Sequence, residues 1–176
     1  MPKILDGLRE RLLAAARRQI EYNGYQNMTI RSVATECGIA VGTVYNYFPS
    51  KEILIASFLS EDWHACIDPI AAQVNDDART HLRCIFDALH SFANSYRELF
   101  SDTEAQKVYH MVFAHRHKQL RDQIASLILP LCGEAENREF LSEFIAEALL
   151  TWTREEKPFE DIYAVINRLI KNESEE

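Results

Sequence analysis

The stretch from Thr29 to Lys51, TIRSVATECGIAVGTVYNYFPSK, constrains the fold more than any other part of the chain. Ile30, Val33, Ala34 and Cys37 stand at i, i+3, i+4 and i+7, the spacing of one helix face. Thr29 is placed to cap that helix, because its hydroxyl can accept from a free amide of the first turn. Gly38 follows and can take the left-handed conformation that ends it. A second short helix covers about Val41 to Phe48, with Val44 and Phe48 one turn apart and facing inward with Ile39. Pro49 and Ser50 then punctuate the chain, and Ser50 caps a third helix. Two short helices joined by a tight turn form a helix-turn-helix, the plan that lays its second helix in the DNA major groove.

The rest of the chain reads as helix throughout. A first helix runs from about Ile4 to Asn23, with Leu5, Leu8, Leu12, Ala15, Ala16 and Ile20 on one face and Gly24 as its stop. The helix after Pro49 extends to about Cys66, with Ile53, Leu54, Phe58 and Trp63 on its buried side, and Asp68-Pro69 and Asn75-Asp76-Asp77 are breaks. A long helix is predicted over Ala78–Phe100, and Ser101-Asp102 starts another. The polar run His115–Gln119 marks a bend, Leu120–Leu131 resumes an apolar face, and Cys132-Gly133-Glu134 closes it. Two final helices cover about Asn137–Glu155 and Phe159–Lys171. Their apolar stripes are wide, which predicts a helix-pair interface between two copies through Phe140, Phe144, Ala148, Trp152, Ile162, Ile166 and Leu169. No strand, repeat or low-complexity segment is evident.

Composition enters through charge. The chain carries a net charge of −8, which by itself disfavours nucleic acid. Its distribution does not: residues 1–60 hold seven Lys/Arg against five Asp/Glu, a net of +2, and the remainder carries −10. A mildly basic head on an acidic body fits local phosphate binding. No apolar run approaches a membrane span, and the amino-terminal residues read as helix rather than as a signal peptide. Cys37, Cys66, Cys84 and Cys132 are far apart with no CxxC pair, so they read as buried free thiols in a reducing compartment, with no metal site and no cofactor implied.

The segment from about Leu12 to Leu54 resembles the DNA-binding head of the TetR family of bacterial transcriptional regulators. The residues that carry the likeness are Ala15-Ala16, Gly24-Tyr25, Met28-Thr29, Val33-Ala34, Cys37-Gly38-Ile39, Gly42-Thr43-Val44-Tyr45, Tyr47-Phe48 and Ser50-Lys51-Glu52 with Leu54. The resemblance implies an all-α chain: a three-helix DNA-binding head in residues 1–50, then a helical bundle for dimerisation and ligand binding in residues 51–176. It also implies a homodimer on a palindromic double-stranded operator, released by a small-molecule effector, in the bacterial cytoplasm at the nucleoid. Two positions depart from the family pattern. Ala40 stands where members often place Ser, which removes a cap worth on the order of 1 kcal/mol. Val41 stands where they often place a polar reader, and suits a thymine methyl.

Thr29, Tyr45, Tyr47 and Lys51 are the candidate phosphate contacts. Lys51 is a cation in the first turn of a helix, which opposes the dipole unless a partner such as a phosphate is supplied. Lys51→Ala should then lower the salt slope of binding by about one unit. Arg31, Val41, Gly42, Thr43 and Asn46 are the candidate base contacts. Asn46 points outward and can pair bidentately with adenine, Gly42 permits close approach, and Arg31 can reach guanine or a phosphate. Trp63, Phe86, His90, Tyr109, Phe113, Phe144 and Trp152 are candidate effector contacts for a hydrophobic or aromatic ligand, although each could instead fill the core.

Other readings are weaker. Glu61 and His64 match one Glu-x-x-His element of a di-iron bundle, Asp87 and His90 come near it, and His115 and His117 fall on different helix faces, so a metal enzyme lacks a full ligand set. No hydrolase or phosphate-loop motif is present. An activator, or a DNA-architectural protein without an effector, would share the same head.

Overall fold

The computed structural model describes residues 7–72, 77–133 and 136–172, excepting the side chains of 107–116 and 172. Among these residues every regular element is helical: α1 Leu8–Asn27, α2 Ile30–Cys37, α3 Val41–Tyr47, α4 Lys51–Ala71, α5 Ala78–Ser95, α6 Arg97–Ser101, α7 Thr103–Ile128, a 3₁₀ turn Leu129–Cys132, α8 Arg138–Arg154 and α9 Phe159–Asn172. The chain forms two compact units, one of Met1–Trp63 with Tyr96–Met111, the other of His64–Ser95 with Val112–Glu176.

In the first unit, Leu8, Leu12, Leu13, Ala15, Ala16 and Ile20 give α1 its buried face. The expected start at Ile4, with Leu5, lies outside the described residues. Gly24 does interrupt the helix, at φ 74° and ψ 173°, after which a last turn runs to Asn27. α2 closes at Gly38, φ 68°, where the Ile39 amide reaches back to the Ala34 carbonyl at 3.0 Å and the Gly38 amide to that of Thr35 at 3.1 Å. This pair of bonds satisfies carbonyls left over at the helix end. α4 starts under the Ser50 hydroxyl, which accepts from the Ile53 amide at 3.3 Å. Leu54, Phe58 and Trp63 line its buried side as the spacing predicts, but Ile53 is 47% exposed. Leu54 and Ile55, both fully buried, take the inward positions beside it.

The break expected at Asp68-Pro69 is absent, and α4 runs through it. Proline there falls in the last turn, where the helix loses only the bond to the Ala65 carbonyl. Of the second break, Asn75 and Asp76 lie outside the described residues; Asp77 caps α5 by accepting from the Thr80 amide at 2.9 Å. The long helix expected over 78–100 is two helices. Tyr96 leaves helical geometry at φ −118° and ψ 20°, and its ring lies against Phe58 and Phe100. The apolar stripe continues across this corner, so periodicity does not register it. α7 begins under Asp102, whose carboxylate accepts from the Glu104 and Ala105 amides, both at 2.9 Å. No bend occurs at 115–119: α7 is continuous there, and His117, on its solvated face, pairs with Glu147 of α8 at 2.9 Å.

The second unit buries Leu82, Ile85, Phe86 and Leu89 of α5 with Ile124 and Ile128 of α7, Ile145 and Leu149 of α8, and Phe159, Ile162 and Ile166 of α9. α5 and α9 are joined at their edge by Arg79 and Glu160, at 2.6 Å, beneath which Arg79 and Arg83 cover the Phe159 ring. Ile162 and Ile166, expected at an interface between copies, are each 2% exposed and belong to this core. Cys37 and Cys132 are buried as expected, but Cys66 and Cys84 are only partly so; none of the four is in a disulfide.

Candidate nucleic-acid interface

α2 is fastened to α1 by side chains before α3 is reached. Arg18 pairs with Glu36 at 2.6 Å, Gln19 donates to the other Glu36 oxygen at 2.6 Å, and Gln19 in turn accepts from the Ser32 hydroxyl at 2.6 Å. The donors Arg18 and Gln19 hold the Glu36 carboxyl below its usual pKa. Arg11 donates to the Cys37 carbonyl at 2.8 Å, satisfying the end of α2. Burial pushes the Cys37 thiol up, so it stays protonated and apolar.

The residues assigned to DNA fall into distinct places. Thr29 is exposed, and its hydroxyl is engaged in a capping box: it accepts from the Ser32 amide at 3.0 Å while the Ser32 hydroxyl accepts from the Thr29 amide at 3.0 Å. Arg31, the second residue of α2, is exposed and has no side-chain partner among the described residues. α3 begins at Ala40 with no side-chain cap, as its sequence predicts. Val44 is fully buried and Phe48 nearly so, which turns the opposite face outward. Gly42, Tyr45 and Asn46 are exposed on that face, with Val41 and Thr43 partly exposed beside them.

Two expectations for this surface need correction. Lys51 does not lack a partner: its ammonium donates to the Tyr25 carbonyl and sits 3.8 Å from the centroid of the Tyr25 ring. Burial lowers its pKa, despite the opposing fields of Glu52 and Asp102. The carbonyl and the ring supply the favourable contacts that its place at a helix start withholds. The second correction concerns Tyr47. Its phenol oxygen has essentially no exposure and no hydrogen-bond partner among the described residues, so it does not offer itself to solvent.

One cluster in this unit has no short-range signal in the sequence. Arg17 of α1 grips Asp62 of α4 with two bonds, at 2.6 and 2.8 Å, and the Tyr96 hydroxyl donates to the same carboxylate. Arg17 also lies over the Phe58 ring at 5.5 Å. Burial raises the Tyr96 pKa, and the adjacent Asp62 charge raises it further. The partners are 45 and 34 residues apart, beyond the reach of any helical pattern.

Of the effector candidates, Trp63 is buried in the first unit. Phe86, His90, Phe144 and Trp152 belong to the second. Phe86 is buried with His90 stacked on it at 5.9 Å. Phe144 is 50% exposed and so is neither core nor enclosed lining. The side chains of Tyr109 and Phe113 lie outside the described residues. Of the interface candidates, Phe140 is 71% exposed, and Ala148, Trp152 and Leu169 are partly exposed.

Residues 12–58 match the model of the bacterial regulatory proteins, tetR family. Over that stretch, about a quarter of the chain, it is similar to that family. Its similarity to the HTH-type transcriptional regulator UidR of Escherichia coli K12 is 37% identity over 54 residues, 31% of this chain and 28% of UidR. The chain thus matches little more than a quarter of the length of that curated relative. The fold is also shared with solved structures. Salmonella enterica GusR superposes with a TM-score of 0.70 at 16% identity, over 96% of this chain and 99% of GusR. A tetR-family repressor, Thermus thermophilus FadR in complex with lauroyl-CoA, superposes with a TM-score of 0.61 at 20% identity, over 92% of each chain. No described helix is long and apolar enough to cross a membrane.

Proposed function

We propose that the protein is a ligand-responsive transcriptional repressor that binds a palindromic double-stranded DNA operator as a homodimer in the bacterial cytoplasm. In this reading residues 1–50 contact DNA, and residues 51–176 carry dimerisation and effector binding. The observation that carries it is the α2–α3 pair. The outward face of α3 presents Gly42, Tyr45 and Asn46, and α2 presents an Arg31 with no partner among the described residues. Asn46 has the donor and acceptor set that pairs with an adenine edge, and the Arg31 guanidinium can meet a phosphate or a guanine edge. Thr29 and Tyr45 are placed to meet phosphates, and Val41 and Thr43 to border the bases.

A homodimer is supported by the exposed Phe140 and Phe144 one turn apart on α8, and by the exposed Val165 on α9. Apolar groups of this size rarely stay uncovered together. The similar FadR carries lauroyl-CoA, which favours an effector with a hydrophobic portion, met here by Phe86, His90 and Trp152. Selection of bound sequences from random DNA with the purified protein tests the reading. Two inverted half-sites, spaced by about one helical turn or a multiple, are expected. Enrichment of no sequence, with random DNA bound equally well, would instead make the protein an architectural binder.

A further inference from the structure

The chain passes between its two compact units at Trp63–His64, at Ser95–Tyr96 and at Met111–Val112. The first and last passages lie inside continuous helices, α4 and α7, whose backbone hydrogen bonds run across the boundary. The middle passage has no such support. α5 ends at Ser95, and Tyr96 stands at φ −118° and ψ 20°, outside helical geometry. A break of this kind is where two packed bodies can turn or open separately, unless side chains restore what the backbone has given up.

At this corner they do. The Tyr96 ring is buried against Phe58 and Phe100, and its hydroxyl donates to the Asp62 carboxylate. Asp62 stands just before the first passage, at Trp63–His64. Arg17 of α1 holds the same carboxylate with two bonds. Residues 64–95 therefore leave and rejoin the first unit at one carboxylate, whose phenol partner is 34 residues away in the chain. The Arg17 and Asp62 side chains are each 28% exposed, so water can compete for the cluster.

We propose that the Tyr96–Asp62 bond is a releasable pin on the corner between α5 and α6. Closed, it makes the local stability of α1 answer to the packing of the second unit. Open, it leaves the corner as a hinge and lets the second unit loosen alone. This coupling is independent of whether the head binds DNA.

Native-state hydrogen exchange of the full, DNA-free chain measures it. Tyr96→Phe keeps the ring against Phe58 and Phe100 and leaves Arg17 on Asp62, so it removes only the pin. The Phe100 and Asp102 amides donate to the Tyr96 and Glu98 carbonyls at 2.9 and 3.1 Å. In Tyr96→Phe they should exchange at least about tenfold faster, the loss of a hydrogen bond to a charged group. Equal rates would mean that ring packing alone fixes the corner, and would overturn the pin. Ile145→Val, a mild loss in the core of the second unit, should speed exchange in α8 and α9 by about 2–10-fold. With Tyr96 in place, α1 should follow by a similar factor. With Tyr96→Phe added, the α1 response should fall by at least half while α8 and α9 still accelerate. An α1 response that is absent with Tyr96 in place, or equal in the two backgrounds, would refute the coupling whatever the corner amides do.

Discussion

Replacing Arg31 with alanine should lower the salt dependence of operator binding by a calculable amount. The head contains several cations, but nearly all those described are already occupied. Arg9, Arg17 and Arg18 lie 2.6 Å from Glu61, Asp62 and Glu36, respectively. Arg11 and Lys51 donate to the backbone carbonyls of Cys37 and Tyr25. Arg31 is exposed with no partner among the described residues. Each cation that neutralises a phosphate of B-DNA contributes about 0.9 unit to the slope of log K against log salt. Two Arg31 side chains in a dimer therefore contribute about 1.8 units. Between 50 and 200 mM salt the wild-type protein should lose about 12-fold more affinity than Arg31→Ala. Anisotropy titrations across that salt range measure it. Lys51→Ala serves as the comparison, and should change the slope less because Lys51 is tied to Tyr25. An Arg31→Ala slope equal to the wild-type slope would refute the assignment, and so would a larger change from Lys51→Ala. Loss of affinity confined to one base pair, with the slope retained, would move Arg31 from phosphate to guanine.

Glu36→Gln should lower the melting point of the protein at pH 7. A carboxyl whose pKa is depressed in the fold, here by Arg18 and Gln19, stabilises above its unfolded pKa and ceases to as pH falls through the folded value. The difference from wild type should therefore narrow as pH falls below the ordinary glutamate range and through the depressed folded pKa, as thermal melts at several pH values would reveal; a constant difference would argue against the charge as its cause. Gly38→Ala should cost about 1–2 kcal/mol, purely through the left-handed backbone, because an added Cβ meets nothing within 4 Å. A neutral result in denaturant unfolding would contradict that. Phe140→Asp should shift sedimentation toward monomer, whereas Ile162→Ala should cost about 2–5 kcal/mol of core stability; if both variants merely dissociated a dimer, Ile162 would belong to the interface after all.

The helix-turn-helix was legible because its determinants are local. Thr29, Gly38 and the inward set Ile30, Val33, Ala34, Cys37 and Val44 act within a few residues of one another, and each lies where its spacing indicates. The departures share a different origin. Lys51 looks unpartnered in sequence because Tyr25 is 26 residues away. The Gly24 kink that ends regular α1 just before Tyr25 leaves no chemical mark on position 51. The corner at Tyr96 is hidden because Leu89, Tyr96 and Leu99 keep the helical period through it. Ile162 and Ile166 were indistinguishable from interface residues, since an apolar stripe is written the same way whether its cover comes from the same chain or another. On α8 and α9 the solvent-facing Phe140, Phe144 and Val165 separate the two cases only once burial is known.

The grip of Asp62 on both Arg17 and Tyr96 has a consequence for how this protein can be cut and recombined. The head is compact but not contiguous in the chain: it is completed by residues beginning at Tyr96, well past the matched segment that ends at residue 58. A graft of the first sixty-odd positions onto another member's body would carry Arg17 and Asp62 without the phenol that shares their carboxylate. Transplanting α3 within an intact chain disturbs none of the three. On the proposed reading, operator specificity is therefore portable as a few residues of α3, and not as a cassette.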